Sequence, residues 1–233
     1  MKIAAETDAD IVTARSCSEF KEKTVYPKTE KEEVKVFCGK DILPAYVKGA
    51  FREVAWNKLY KQDCFSGIRY PEGHNFEDVF TTWKIMKRTA EKKGTITASP
   101  EVLFHFRVRK SSISHTMSLN NVVDCWNAYR GRFERMVNFR EELLSFCIVS
   151  VGRMWSSYCL FSPEEKKRAE KTLREMMIFT KVHRHQVIKG SYSLGLKMIC
   201  IASRSKSSVV MRGCFFANKI RLYWKNRGRK MFD

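Results

Sequence analysis

Two acidic residues stand side by side at Glu77-Asp78, just where a helix should begin. Pro71, Gly73 and Asn75 ahead of them are turn formers. Val79, Phe80, Trp83, Met86 and Ala90 behind them fall at helical spacing, with Gly94 as a stop. A carboxylate in a first helical turn is held as the anion by unpaired backbone N–H groups and the helix dipole. That is a good place for a fixed base, and also an ordinary way to begin a helix. His74 lies close enough in sequence to share a substrate with Asp78. His183 and His185, two apart, point to different sides of a helix and have no nearby Cys or acid, so they read as a polar helix end.

The elements that must position these groups change character along the chain. Ala9–Ala14 reads as a short buried strand after the last turns of a helix at residues 1–8. Ile42–Val54 reads as a helix interrupted early by Pro44. Trp56 and Tyr60 belong to a short aromatic segment that packs inside. Thr95–Thr97 and Val102–Val108 read as two strands separated by a Ser99-Pro100 turn. From residue 116 the pattern is helical. It covers Asn120–Arg140, Arg140–Phe161 and a helix opened by Ser162-Pro163-Glu164-Glu165, an N-cap followed by proline and acids, which runs to about His185. Gly190 and Gly195 bracket a break. The tail from Arg204 is basic, with Asp233 its only acid.

The 233 residues carry 44 Lys and Arg against 25 Asp and Glu, a formal charge of +19, with 44% hydrophobic residues to build a core. The excess implies an anionic partner: nucleic acid, an anionic membrane surface or a phosphorylated small molecule. The eight cysteines contain no C-x-x-C pair and sit mostly in apolar runs. They read as buried or partly buried thiols in a reducing compartment, not as a disulfide framework or zinc ribbon. There is no apolar leader segment and no run of about 18 apolar residues. The expected location is the cytoplasm.

An ordered set of segments resembles the family-2 glycosyltransferases of the GT-A fold, especially bacterial ones that build surface polysaccharides. The segments are Ala9-Asp10-Ile11-Val12, Trp56-Asn57-Lys58-Leu59-Tyr60, Tyr70-Pro71-Glu72-Gly73 through Glu77-Asp78, and Phe104-x-Phe106-Arg107-x-Arg109-x-x-Ser112-Ile113. The resemblance covers about residues 5–135. It implies an α/β chain with two parts. Residues 1–115 would be the acceptor-side half of a partial GT-A (Rossmann-like) domain. Residues 116–233 would be a mostly α-helical, basic C-terminal extension.

The resemblance also implies roles. Asp78 would be the general base in an inverting transfer from a nucleotide-sugar donor to a saccharide or lipid-linked acceptor. Glu77, His74 and Trp56 would border the acceptor. Arg107, Arg109 and Ser112 would lie near the donor diphosphate, where two guanidinium groups and a hydroxyl can neutralise the leaving group. The family often has tyrosine where this chain has Phe104 and Phe106, and glycine where it has Ser111. Family members use a divalent metal, Mn or Mg, held by a D-x-D motif. The one such triplet here, Asp8-Ala9-Asp10, suits a helix-to-strand junction instead, so no metal ligands are assigned and a preceding nucleotide-binding half is expected to be missing. The basic tail, with Phe215, Phe216, Tyr223 and Trp224, would suit peripheral contact with the inner face of an anionic membrane. A second reading, a basic nucleic-acid-binding protein without catalysis, rests on the charge and the interleaved aromatics. It lacks any helix-turn-helix, zinc-finger or RNP-like motif.

Overall fold

A computed structural model describes residues 2–27, 33–109 and 118–203, together with Val210 and Gly213. The described residues form two compact units. One holds 2–27, 33–73 and 77–109; the other holds 74–76 with 118–203. The architecture is mixed α/β, with a curled mixed sheet followed by a helical C-terminal region.

The first unit is built on β1 (Ile11–Glu19) and β5 (Thr95–Arg107), which pair in parallel. The sheet order is β2-β1-β5-β3, with β2 at Thr24–Val25 and β3 at Lys35–Cys38. β4 (Lys58–Tyr60) pairs antiparallel with Ile11–Thr13. Since β5 occupies one edge of β1, β4 and β2 share the other edge at its two ends. The remaining helices are α1 (Lys2–Glu6), α2 (Ile42–Val47) and α3 (Glu77–Glu91). α3 buries Val79, Trp83, Ile85 and Met86, and the sheet contributes fully buried Ile11 and Ile96. Each such side chain contributes roughly 1.5–3 kcal/mol of burial.

Three sequence expectations are corrected here. Ile42–Val54 is not one helix: α2 stops at Val47, and Gly49 follows at φ +85. Pro44 is compatible with α2 because it falls in the first turn, where backbone N–H groups lack helical acceptors anyway. The two strands expected around Ser99-Pro100 are one strand. Its partner keeps step until Thr13 faces Ala98, then Arg15 faces Val102. Ser99–Glu101 thus stand against the single residue Ala14, and the Ser99 hydroxyl accepts the Glu101 N–H at 3.2 Å. Pro100 needs no donor there, so the turn chemistry has made a bulge. Finally, Cys38 is exposed, whereas Cys17, Cys64, Cys125, Cys147 and Cys200 are buried free thiols.

The second unit contains α4 (Leu119–Arg135), α5 (Arg140–Tyr158), α6 (Pro163–Lys189) and α7 (Leu194–Ala202). Trp126, Leu144, Ile148, Met154 and Met176 are fully buried among them. Ser162 and Glu165 form a complete capping box with Pro163 at the first helical position. α6 continues one turn past His185 to Lys189, and Gly195 lies inside α7. Among the described residues no helix is long and apolar enough to cross a membrane. The basic tail from Arg204, apart from Val210 and Gly213, and Ser112 lie outside the described residues.

Candidate active site

Asp78 is the second residue of α3, and its Oδ1 accepts the Val79 N–H at 2.7 Å. Burial is the main force on its carboxyl and raises its pKa, with adjacent Glu77 pushing the same way. The Val79 N–H and the cation of Lys58 pull it back. Glu77 itself is exposed at the helix start. Asp78 and Glu77 also raise the pKa of half-buried Tyr70, though burial is its larger cause.

Lys58 is the unforeseen member of this group. It sits in β4, next to the Asn57 backbone at φ +64. Asparagine tolerates that left-handed conformation better than most residues. The Asn57 side-chain amide donates to Ala14 O at 2.7 Å, and the Asn57 backbone carbonyl accepts the Ala14 N–H at 2.9 Å, so the bend is pinned to β1. Lys58 Nζ donates to Val54 O at 2.7 Å and to Asn57 Oδ1 at 2.9 Å. Burial and the nearby Arg52 cation depress the ammonium to about 7, with Asp78 opposing them. A half-buried lysine that titrates near neutrality beside a carboxylate raised by burial is a feature concentrated at functional sites. The sequence signal was its place in the Trp56–Tyr60 segment, which reads first as packing.

Trp56 packs on the strand instead of standing clear of it. Its indole stacks on Phe104 at 4.4 Å and on Phe106 at 5.4 Å, and Arg52 lies 5.2 Å from its centre. This explains why phenylalanine serves at 104 and 106: the stack needs faces, not hydroxyls. Arg107 is exposed and lies 3.8 Å from Glu19 Oε2, while His105 Nδ1 meets Glu19 Oε1 at 2.7 Å. Arg109 is exposed. His74 belongs to the helical unit, where Asp124 takes His74 Nδ1 and the Asn75 N–H on its two oxygens, each at 2.9 Å. Asp124 is buried, so these partners satisfy a carboxylate that would otherwise be costly there.

The first unit also holds a cleft of ≈ 470 Å³ that does not include Asp78. It opens beside the bulge and is bordered by Arg15, Lys35, Arg52, Ser16 and Ser99, with Glu33 the acid among the described residues that line it. Arg52 donates to Ser16 Oγ at 3.2 Å. Arg52 therefore touches both the cleft and the electrostatics of Lys58.

The carboxylates of the Asp8-Ala9-Asp10 triplet are engaged by neighbouring groups of the chain. Asp8 and Asp10 lie 2.8 and 3.5 Å from Lys61 Nζ, and Asp10 Oδ2 accepts the Thr95 N–H at 2.8 Å. Among the described residues no group of three or more His, Cys, Asp or Glu could hold a metal ion. No protein-family model matches the chain, and no curated protein is similar to it.

Proposed function

We propose that the first unit is the acceptor side of an inverting glycosyltransferase of the family-2, GT-A kind, with Asp78 as the general base. The observation that carries this reading is the fixed, half-buried Asp78 carboxylate at the start of α3, with Lys58 and Tyr70 in its electrostatic neighbourhood. Asp78 takes the proton of an acceptor hydroxyl as that oxygen bonds to the anomeric carbon. The bond from that carbon to the phosphate oxygen breaks, and the nucleoside diphosphate leaves with the electron pair. A base with a raised pKa holds the proton more strongly, so burial suits Asp78 to this step once it is ionised. While charged, Lys58 opposes protonation of Asp78. Tyr70 offers a phenol beside the pair. The ordered segments around Asp78 lend the family its support.

The test is release of nucleoside diphosphate from a panel of nucleotide-sugars, with and without saccharide and lipid-linked acceptors. Acceptor-dependent release supports the reading. Release no faster than in buffer across the panel contradicts it. Tight, sequence-preferring nucleic-acid binding with a steep salt slope, and no release, would favour the nucleic-acid reading.

A further inference from the structure

The cleft beside the β5 bulge has no role in the proposed transfer. Among the described residues its border carries three cations, Arg15, Lys35 and Arg52, against one acid, Glu33. Arg107 and Arg109, which the family resemblance would place near a diphosphate, do not border it. Arg52 is held before any ligand arrives: one N–H goes to Ser16 Oγ at 3.2 Å, and its guanidinium lies over Trp56 at 5.2 Å. A guanidinium fixed in this way loses little freedom when it binds, and its remaining N–H groups suit a phosphoryl group. The bulge supplies the opening. It throws β1 and β5 out of step between Thr13 and Ser16, so that consecutive residues of β1 border the cleft instead of alternate ones. Buried Ser99 adds a hydroxyl at the same place. At ≈ 470 Å³ the space matches a small soluble ligand.

We infer that this cleft is a binding site for a small phosphorylated molecule, of the size of pyrophosphate or a sugar phosphate, held by Arg15, Arg52 and Lys35. The site stands without the glycosyl reading, since binding here needs neither acceptor nor Asp78. It also reaches Lys58, because an anion beside Arg52 offsets the repulsion that Arg52 exerts on that ammonium.

Isothermal titration of the full chain with inorganic pyrophosphate and with glucose 1-phosphate tests the inference. Arg15→Gln and Arg52→Gln should each weaken binding at least about tenfold, as expected for loss of a charge-assisted contact. Arg52→Lys should lose less. Lys171→Gln, which removes the same charge from exposed helix α6, should stay within about twofold of the parent. On the parent protein itself, pyrophosphate should shift the Arg15 and Arg52 Nε–H resonances and move the Lys58 titration to higher pH, a readout that needs no variant to fold. The inference is overturned if neither probe binds, if acetate binds as tightly, if the Lys171 control loses as much as Arg52→Gln, or if vesicles containing phosphatidic acid bind while both soluble probes do not. Binding that leaves the two arginine resonances unmoved also overturns it.

Discussion

Replacing Lys58 by methionine should abolish a rise in stability with pH. The ammonium of an unfolded lysine keeps its proton to 10.5, whereas in the fold burial and Arg52 bring it to about 7. Between those values the unfolded chain binds more protons than the folded one, so raising the pH favours the fold. The gap of about 3.5 in pKa corresponds to about 5 kcal/mol of cost for carrying the charged lysine into the fold. Between pH 7.5 and 9 the parent should gain about 2 kcal/mol from this one group, which is about 1 M in urea midpoint. Lys58→Met leaves Val54 O and Asn57 Oδ1 without their donor, so its absolute stability shifts as well. The slope is the diagnostic quantity. Urea melts at half-unit pH steps, followed by tryptophan fluorescence, should show the parent midpoint climbing while the variant stays flat relative to it. Parallel curves for the two proteins would refute the assignment of a depressed Lys58.

Gly94→Ala should destabilise the first unit by about 1–3 kcal/mol, read as a lower urea midpoint, because the strain is of the overpacking kind. The added Cβ would collide with Asp10 Oδ2 and meet Thr89 Cγ2 at 2.9 Å, disturbing the Asp10 bond to the Thr95 N–H; an unchanged midpoint would show that the neighbours give way freely. Ser162→Ala should cost the helical unit about 1 kcal/mol by removing the oxygen that caps the Glu165 N–H. Circular dichroism melts at matched pH measure this, with Ser162→Asp expected to keep most of the parent's stability because aspartate caps as well.

The legible parts of the chain were those in which a short segment decides its own conformation. Glu77-Asp78 after a Pro-Gly-Asn turn marked the start of α3, and Ser162 through Glu165 marked the start of α6, because caps act over three or four residues. What stayed hidden depends on partners far along the chain. Ser99-Pro100 carries a turn signal, yet pairing with β1 some eighty residues earlier stretches it into a bulge. His74 looks like a substrate-reaching turn residue until Asp124 arrives on α4. Gly94 reads as a helix stop from its position; the closer reason for glycine there is the approach of Asp10. Lys58 shows the limit for the site itself. Its type and motif were visible, but its chemistry comes from burial and from Arg52, which neither spacing nor composition encodes.

The role of Asp78 is tested most directly by one comparison: acceptor-dependent release of nucleoside diphosphate by the parent and by Asp78→Asn at equal, saturating donor. Asparagine keeps the size and the helix-start position but cannot accept the proton. The expected loss in kcat is about 10²–10⁴, the usual contribution of a general base, with donor KM little changed. An Asp78→Asn protein that turns over at the parent rate would contradict it.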